Sequence, residues 1–121
     1  MKMIAQAKAK YVRISSRKVQ LVVDLIRGKN IEEAFTILRY THKAASLPVR
    51  KLVQSAYSNA VNQLGSMDLD TRSIIIREIR VDQGPTMKRW LPRAMGRATP
   101  MLKRTSHISV ALDVPEPETA R

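Results

Sequence analysis

Residues 74 to 114 read IIIREIRVDQGPTMKRWLPRAMGRATPMLKRTSHISVALDV, and this stretch decides the fold. Its two ends are strand-like. Ile108, Val110, Leu112 and Val114 alternate with His107, Ser109, Ala111 and Asp113, the period-two pattern of a half-buried strand. Upstream, Ile74 and Ile76 share one parity whereas Ile79 and Val81 share the other, so a strand over Ile74 to Asp82 needs a bulge near Arg77 and Glu78. Between the strands, Gln83 to Arg104 runs for 22 residues, a connection that compact domains seldom keep. It contains Gly84, Pro85, Pro92, Gly96 and Pro100, has little apolar content, and holds Lys88, Arg89, Arg93, Arg97, Lys103 and Arg104. Such a segment is either disordered or ordered by a partner. If both flanks continue the antiparallel pairing, about eleven residues per arm at about 3.3 Å each give a ribbon reaching roughly 35 Å. Prolines inside the arms are expected to interrupt the ladder and leave it irregular or paired only in part.

Upstream of this stretch the pattern turns helical. Val49, Leu52, Val53, Ala56, Tyr57, Ala60, Val61 and Leu64 follow i, i+3, i+4, i+7 spacing and predict the helix at the spine of the core. Pro48 belongs in its first turn, which puts regular helix from about Leu47 with Ser46 or Thr41 as caps. Small side chains at Ser55, Ala56, Ser58 and Ala60 invite close approach by another element. Gly65 and the polar stretch through Arg72 read as a loop. Asn30 with Glu33 resembles a capping box that opens a shorter helix with Ala34, Phe35, Ile37 and Leu38 inward. Before it, Ser15 or Ser16 caps a helix with Val19, Val22, Val23 and Ile26 inward, and Gly28 suits the position past its end. From Met3 to Val12, Ala5, Ala7, Ala9 and Tyr11 alternate with Lys8 and Lys10 as a further half-buried strand. The expected organisation is one domain over residues 1–114, including the extended hairpin 83–104, followed by a disordered acidic tail over 115–121.

Charge identifies the kind of partner. The 121 residues hold 22 basic and 10 acidic side chains, a net charge of +12. Residues 1–23 contain six basic residues and no acid, and residues 83–112 contain another six and no acid, which together equal the whole net charge. A solvated surface normally mixes signs, so these two segments point to phosphate binding. Cysteine is absent, which excludes a disulfide framework and a thiolate metal site. Neither a signal peptide nor a membrane-spanning run is expected.

Catalysis finds no foothold. His42 and His107 lie far apart in different elements, and no triad or metal-ligand spacing occurs. Asp68 and Asp70 in a polar loop read as solvated carboxylates, and Ile26-Arg27-Gly28-Lys29 reads as a helix end, not a phosphate loop. We therefore expect no enzyme, no cofactor and no metal. Trp90, the one tryptophan, sits among Lys88, Arg89 and Arg93 without apolar periodicity around it. Stacking on a base, or lining a cavity, suits it better than the core. The rival to a permanent ribonucleoprotein role is a free nucleic-acid-binding regulator, but that would present a compact recognition helix, often in a dimer, and not a long basic arm.

Several strings in fixed order carry a resemblance. They are Val81-Asp82-Gln83-Gly84-Pro85, Met87-Lys88-Arg89, Pro92-Arg93-Ala94, Gly96-Arg97-Ala98 and Lys103-Arg104-Thr105-Ser106-His107-Ile108. Ser16-Arg17-Lys18-Val19, Asp24-Leu25-Ile26-Arg27-Gly28-Lys29, Ala34-Phe35-Thr36-Ile37-Leu38, Ser55-Ala56 and Asn59-Ala60 extend the match over residues 5 to 112. The chain closely resembles the bacterial-type family of large-subunit ribosomal protein L twenty-two. The resemblance implies an α+β fold, three helices packed on a three-stranded antiparallel sheet with a long protruding β-hairpin. It also implies a structural constituent of the large ribosomal subunit that binds several domains of the large ribosomal RNA and helps assembly. Its hairpin tip would line the exit tunnel for nascent peptide beside neighbouring proteins, ribosomal protein L four among them, with the protein a monomer within the ribosome. A cytoplasmic ribosome is expected, and an organellar one stays open.

Carried over by position, the RNA-binding set is Lys8, Lys10, Arg13, Ser15, Arg17, Lys18, Arg27, Lys29, Gly84, Pro85, Lys88, Arg89, Arg93, Arg97, Lys103, Arg104, Thr105 and His107. The tunnel-lining tip would be Lys88, Arg89, Trp90, Leu91, Pro92, Arg93, Ala94, Met95 and Gly96. The departures are Arg17 where a proline is frequent, Trp90 at a variable tip position, and the acidic tail.

Overall fold

In the computed structural model, which describes residues 2–64 and 73–115, five strands and three α-helices follow the order β1 (Lys2–Val12), α1 (Ser16–Ile26), α2 (Ile31–Tyr40), α3 (Ser46–Leu64), β2 (Ile75–Gln83), β3 (Met87–Pro92), β4 (Ala98–Lys103) and β5 (Ser106–Pro115). The expected loop through Arg72, with Asp68 and Asp70, and the acidic tail beyond Pro115 lie outside the described residues. No helix of the described residues is long and apolar enough to cross a membrane.

The strand β5 is central in an antiparallel sheet of order β1-β5-β2. Its inward residues Ile108, Val110, Leu112 and Val114 are all buried, as the alternation requires. Ala5, Ala7 and Ala9 of β1 stand opposite Leu112, Val110 and Ile108, while Ile76, Ile79 and Val81 of β2 stand opposite the same three from the other side. That register is possible only because β2 shifts by one residue between Ile76 and Glu78, the bulge that the parity change demands. Tyr11 departs from expectation. It has φ +59°, the register breaks between Ala9 and Val12, and the residue is 63% exposed while Val12 packs against the core.

The helices cover the inner sheet face. Val19, Val22, Val23 and Ile26 of α1 are buried, and Gly28 at φ +78° turns the chain out, its N–H donating to the Ile76 carbonyl at 3.2 Å. The Asn30 side chain accepts from the Glu33 N–H at 2.8 Å, which caps α2 as expected. Neither serine caps α1 through its side chain. Ser46 is the first residue of α3, not its cap, and its hydroxyl donates back to the Thr41 carbonyl at 3.0 Å. Buried Ala56 and Ala60 of α3 meet the alanine face of β1, so backbone approaches backbone and the Asn59 amide donates to the Gln6 carbonyl at 2.8 Å. Fully burying residues such as Ile26, Ile79 and Leu112 contributes about 1.5–3 kcal/mol each, which is where the body's stability resides.

From this body β3 and β4 run out as a separate two-stranded ribbon, pairing Met87 with Lys103 through Pro92 with Ala98. The expected unbroken pairing from residue 83 to residue 104 is interrupted at the neck, where Gly84, Pro85 and Thr86 face Arg104 and Thr105, three residues against two. The paired arms are therefore six residues each, about 20 Å long at the usual strand rise. The prolines do not break this ladder, contrary to the expectation. The Arg93 N–H donates to the Arg97 carbonyl at 2.6 Å, so alternation makes 92/98 and 90/100 non-hydrogen-bonded pairs in which the missing proline N–H points outward.

Candidate nucleic-acid interface

The neck is held by three consecutive side chains of β5 and its approach. Thr105 is 4% exposed, and its hydroxyl donates to the Pro85 carbonyl at 2.7 Å, while its own carbonyl accepts from the Gly84 N–H at 2.9 Å. The buried Ser106 hydroxyl donates to the Ile14 carbonyl. His107, half-buried, accepts from the Tyr11 backbone N–H through Nδ1. A Cβ at Gly84 would lie 2.5 Å from the Thr105 hydroxyl oxygen and 3.3 Å from the His107 ring. The chain passes so close here that only glycine fits. Gly84, Thr105 and His107, all read as RNA contacts from sequence, thus spend these groups on fixing the arm to the body.

Beside the neck the two acid-free segments meet. Arg13, Ser15 and Lys18 from the amino-terminal segment, Arg89, Lys103 and Arg104 from the arm, and Ala44, Ile14, Met87 and Leu102 line one open groove of about 790 Å³. Among the described residues its lining holds five cations and no carboxylate. Like charges gathered this closely repel one another in the free protein, and an anion laid among them removes that repulsion and adds attraction. The ion pairs Arg27–Asp24 at 2.5 Å, Arg80–Glu78 at 3.0 Å and Arg77–Asp113 at 3.7 Å lie elsewhere, on the body.

The other expected contacts fall in different places. Lys8 and Lys10 are exposed along β1, and Arg17 is exposed at the start of α1. Arg27 is tied down, donating to Asp24 and, at 3.0 Å, to the Ile79 carbonyl. Lys29 sits at the edge of β2, where its carbonyl accepts from the Ile76 N–H at 3.0 Å. Arg93 and Arg97 flank the turn at Ala94–Gly96. Lys88 pairs with Leu102, is exposed on β3, and is not among the residues that line the groove. Ala44 and Tyr11 were missed by sequence reasoning. Ala44 reaches the groove through the α2–α3 connection, which has no local pattern, and Tyr11 seemed to continue an alternation that its left-handed backbone breaks.

A small α+β body that gathers its two acid-free segments on one groove, and extends one of them as an exposed ribbon, is built to lie against a polyanion. The chain belongs to the family described as ribosomal protein L22p/L17e, whose model matches residues 7–113. It is 56% identical over 108 residues to the large ribosomal subunit protein uL22 of Desulfitobacterium hafniense (strain Y51), covering 89% of this chain and 92% of that one. The protein of the same name from Pelotomaculum thermopropionicum is 56% identical over 110 residues, covering 91% of this chain and 95% of the relative. That of Clostridioides difficile (strain 630) is 51% identical over 110 residues, covering 91% and 96%.

Proposed function

We propose that this chain is a structural constituent of the large ribosomal subunit, binds the ribosomal RNA of that subunit, and contributes no catalytic step. The observation that carries the reading is the groove beside the neck, where cations from both ends of the sequence converge without an acid. Its relatives are named as large-subunit proteins, which supplies the particular polyanion. RNA phosphates lie along Arg13, Lys18, Arg89, Lys103 and Arg104, and the arm continues into the particle with Arg93 and Arg97 leading. Lys8, Lys10, Arg17 and Lys29 add contacts around the body.

In this reading the ribbon helps line the exit tunnel for nascent peptide, next to neighbouring proteins that include ribosomal protein L four, and the chain acts as a monomer that joins during assembly. The turn residues Arg93 to Arg97 form the leading end, and the expected tip set from Lys88 to Gly96 extends from that end down one strand. The test is co-sedimentation of a tagged chain with large subunits through high-salt washes. Retention in the large-subunit fraction is expected. Release into the free fraction, with binding to duplex DNA as a dimer, would replace this reading with that of a regulator.

A further inference from the structure

We propose that the Trp90 face of the ribbon is a stacking platform for an unpaired nucleobase, so that the arm takes phosphates on one side and a base on the other. The proposal rests on the RNA-binding reading above and names what that reading leaves open. In a two-stranded antiparallel ribbon, directly paired residues share a face and successive pairs alternate. The pairs Met87/Lys103, Arg89/Met101 and Leu91/Thr99 therefore lie on one face, and the Arg93/Arg97 pair continues it. Lys88/Leu102, Trp90/Pro100 and Pro92/Ala98 lie on the other. The cations of the paired ribbon and its turn are thus divided unequally, with Arg89, Arg93, Arg97 and Lys103 together and Lys88 alone opposite them.

The second face is apolar at its middle. Trp90 is 65% exposed, with Pro100 directly across from the indole. The Trp90/Pro100 pair is of the non-hydrogen-bonded kind, the closer of the two spacings, so indole and pyrrolidine form one continuous patch. Pro92 and Ala98 continue that patch toward the turn without adding a flexible side chain. An indole left this bare on a strand that buries nothing else has no role in folding the body, and covering it stabilises whatever covers it.

The occupant follows from the surroundings. The patch is only one ribbon wide, with Lys88 at one end and the cationic face behind it, and residues 83–112 contain no acid. A protein partner would have to bring carboxylates to both sides of a small flat apolar surface. A single strand of RNA brings that combination intrinsically, a planar base between two phosphates. Base stacking on an aromatic ring also tolerates any base, which suits a site fixed by position and not by sequence.

Trp90 is the chain's one tryptophan, so its fluorescence reports on this face alone. The full chain is titrated with a short oligoadenylate and with an abasic ribose-phosphate oligomer of equal length. Oligoadenylate is expected to quench the emission and to bind about tenfold more tightly than the abasic oligomer. Trp90→Leu should erase that preference while leaving the salt dependence of abasic binding in place, and Trp90→Phe should keep most of it. Equal affinities without quenching would overturn the stacking platform and leave phosphate binding standing. Failure of both oligomers to bind at low salt would instead overturn the RNA-binding reading beneath it. Tighter binding of an uncharged apolar peptide, with a blue shift of the emission, would assign the face to peptide and overturn the proposal, as would a Trp90→Phe variant no better than Trp90→Leu.

Discussion

The backbone N–H of Tyr11 donates to Nδ1 of His107 across 3.1 Å, and the two rings meet edge to face with centroids 4.9 Å apart. These residues are 96 positions apart in sequence, yet they join the end of β1 to the root of the arm. The contact also holds Tyr11 in a left-handed conformation that tyrosine adopts only under constraint.

Replacing His107 with alanine removes both the acceptor and the edge-to-face contact. The expected loss is about 1–2 kcal/mol in urea unfolding. His107→Phe keeps a ring for Tyr11 to meet and should lose less. Equal losses for the two variants would show that the ring contact contributes nothing.

Gly84→Ala tests the close passage at the neck. The added methyl would sit 2.5 Å from a Thr105 hydroxyl that is itself buried and bonded to Pro85, so the neck has to open. A destabilisation of about 1–3 kcal/mol is expected by thermal melting. Thr105→Ala in the same chain removes the obstructing oxygen and should recover part of the loss.

Body and ribbon should respond separately. Deleting Lys88 to Arg93 removes all of β3 but Met87 and leaves the three-stranded sheet and every buried core residue in place, so the melting temperature should stay within a few degrees of the parent. Leu52→Asp places a charge among the buried side chains of α3 at a cost of several kcal/mol, enough to unfold a domain of ordinary stability. Circular dichroism melts of both variants distinguish the cases.

Neutralising Arg13, Lys18, Arg89, Lys103 and Arg104 together should flatten the salt dependence of binding to large-subunit RNA. Each phosphate contact contributes about 0.7–0.9 to the slope of log affinity against log salt. Neutralising Arg27, Arg77 and Arg80, which pair with carboxylates on the body, should change the slope far less. Equal effects of the two sets would mean that the groove is not where the phosphates lie.

Local rules made most of the body legible. The helical spacing of Val19 to Ile26 and of Val49 to Ala60, the alternation of Ile108 to Val114, and the parity change that requires a bulge before Ile79 are all properties of neighbouring residues. The neck was not legible, because Thr105 looks like any polar residue in a basic stretch until its hydroxyl is seen to answer a carbonyl 20 residues away. Convergence at the groove was hidden for the same reason. The sequence marks Arg13 and Arg104 as basic, and only the antiparallel pairing of β1 with β5 brings their segments together.

The two prolines of the ribbon have a consequence for the chain before it meets its partner. A freely projecting pair of strands offers two unsatisfied outer edges, each a template on which another copy could add a strand. Pro92 deletes an outward donor from one edge and Pro100 deletes one from the other, since both occupy pairs whose N–H groups would face away from the ladder. In the free chain these two gaps, with the flanking like charges, disfavour the addition of a strand from another molecule's arm.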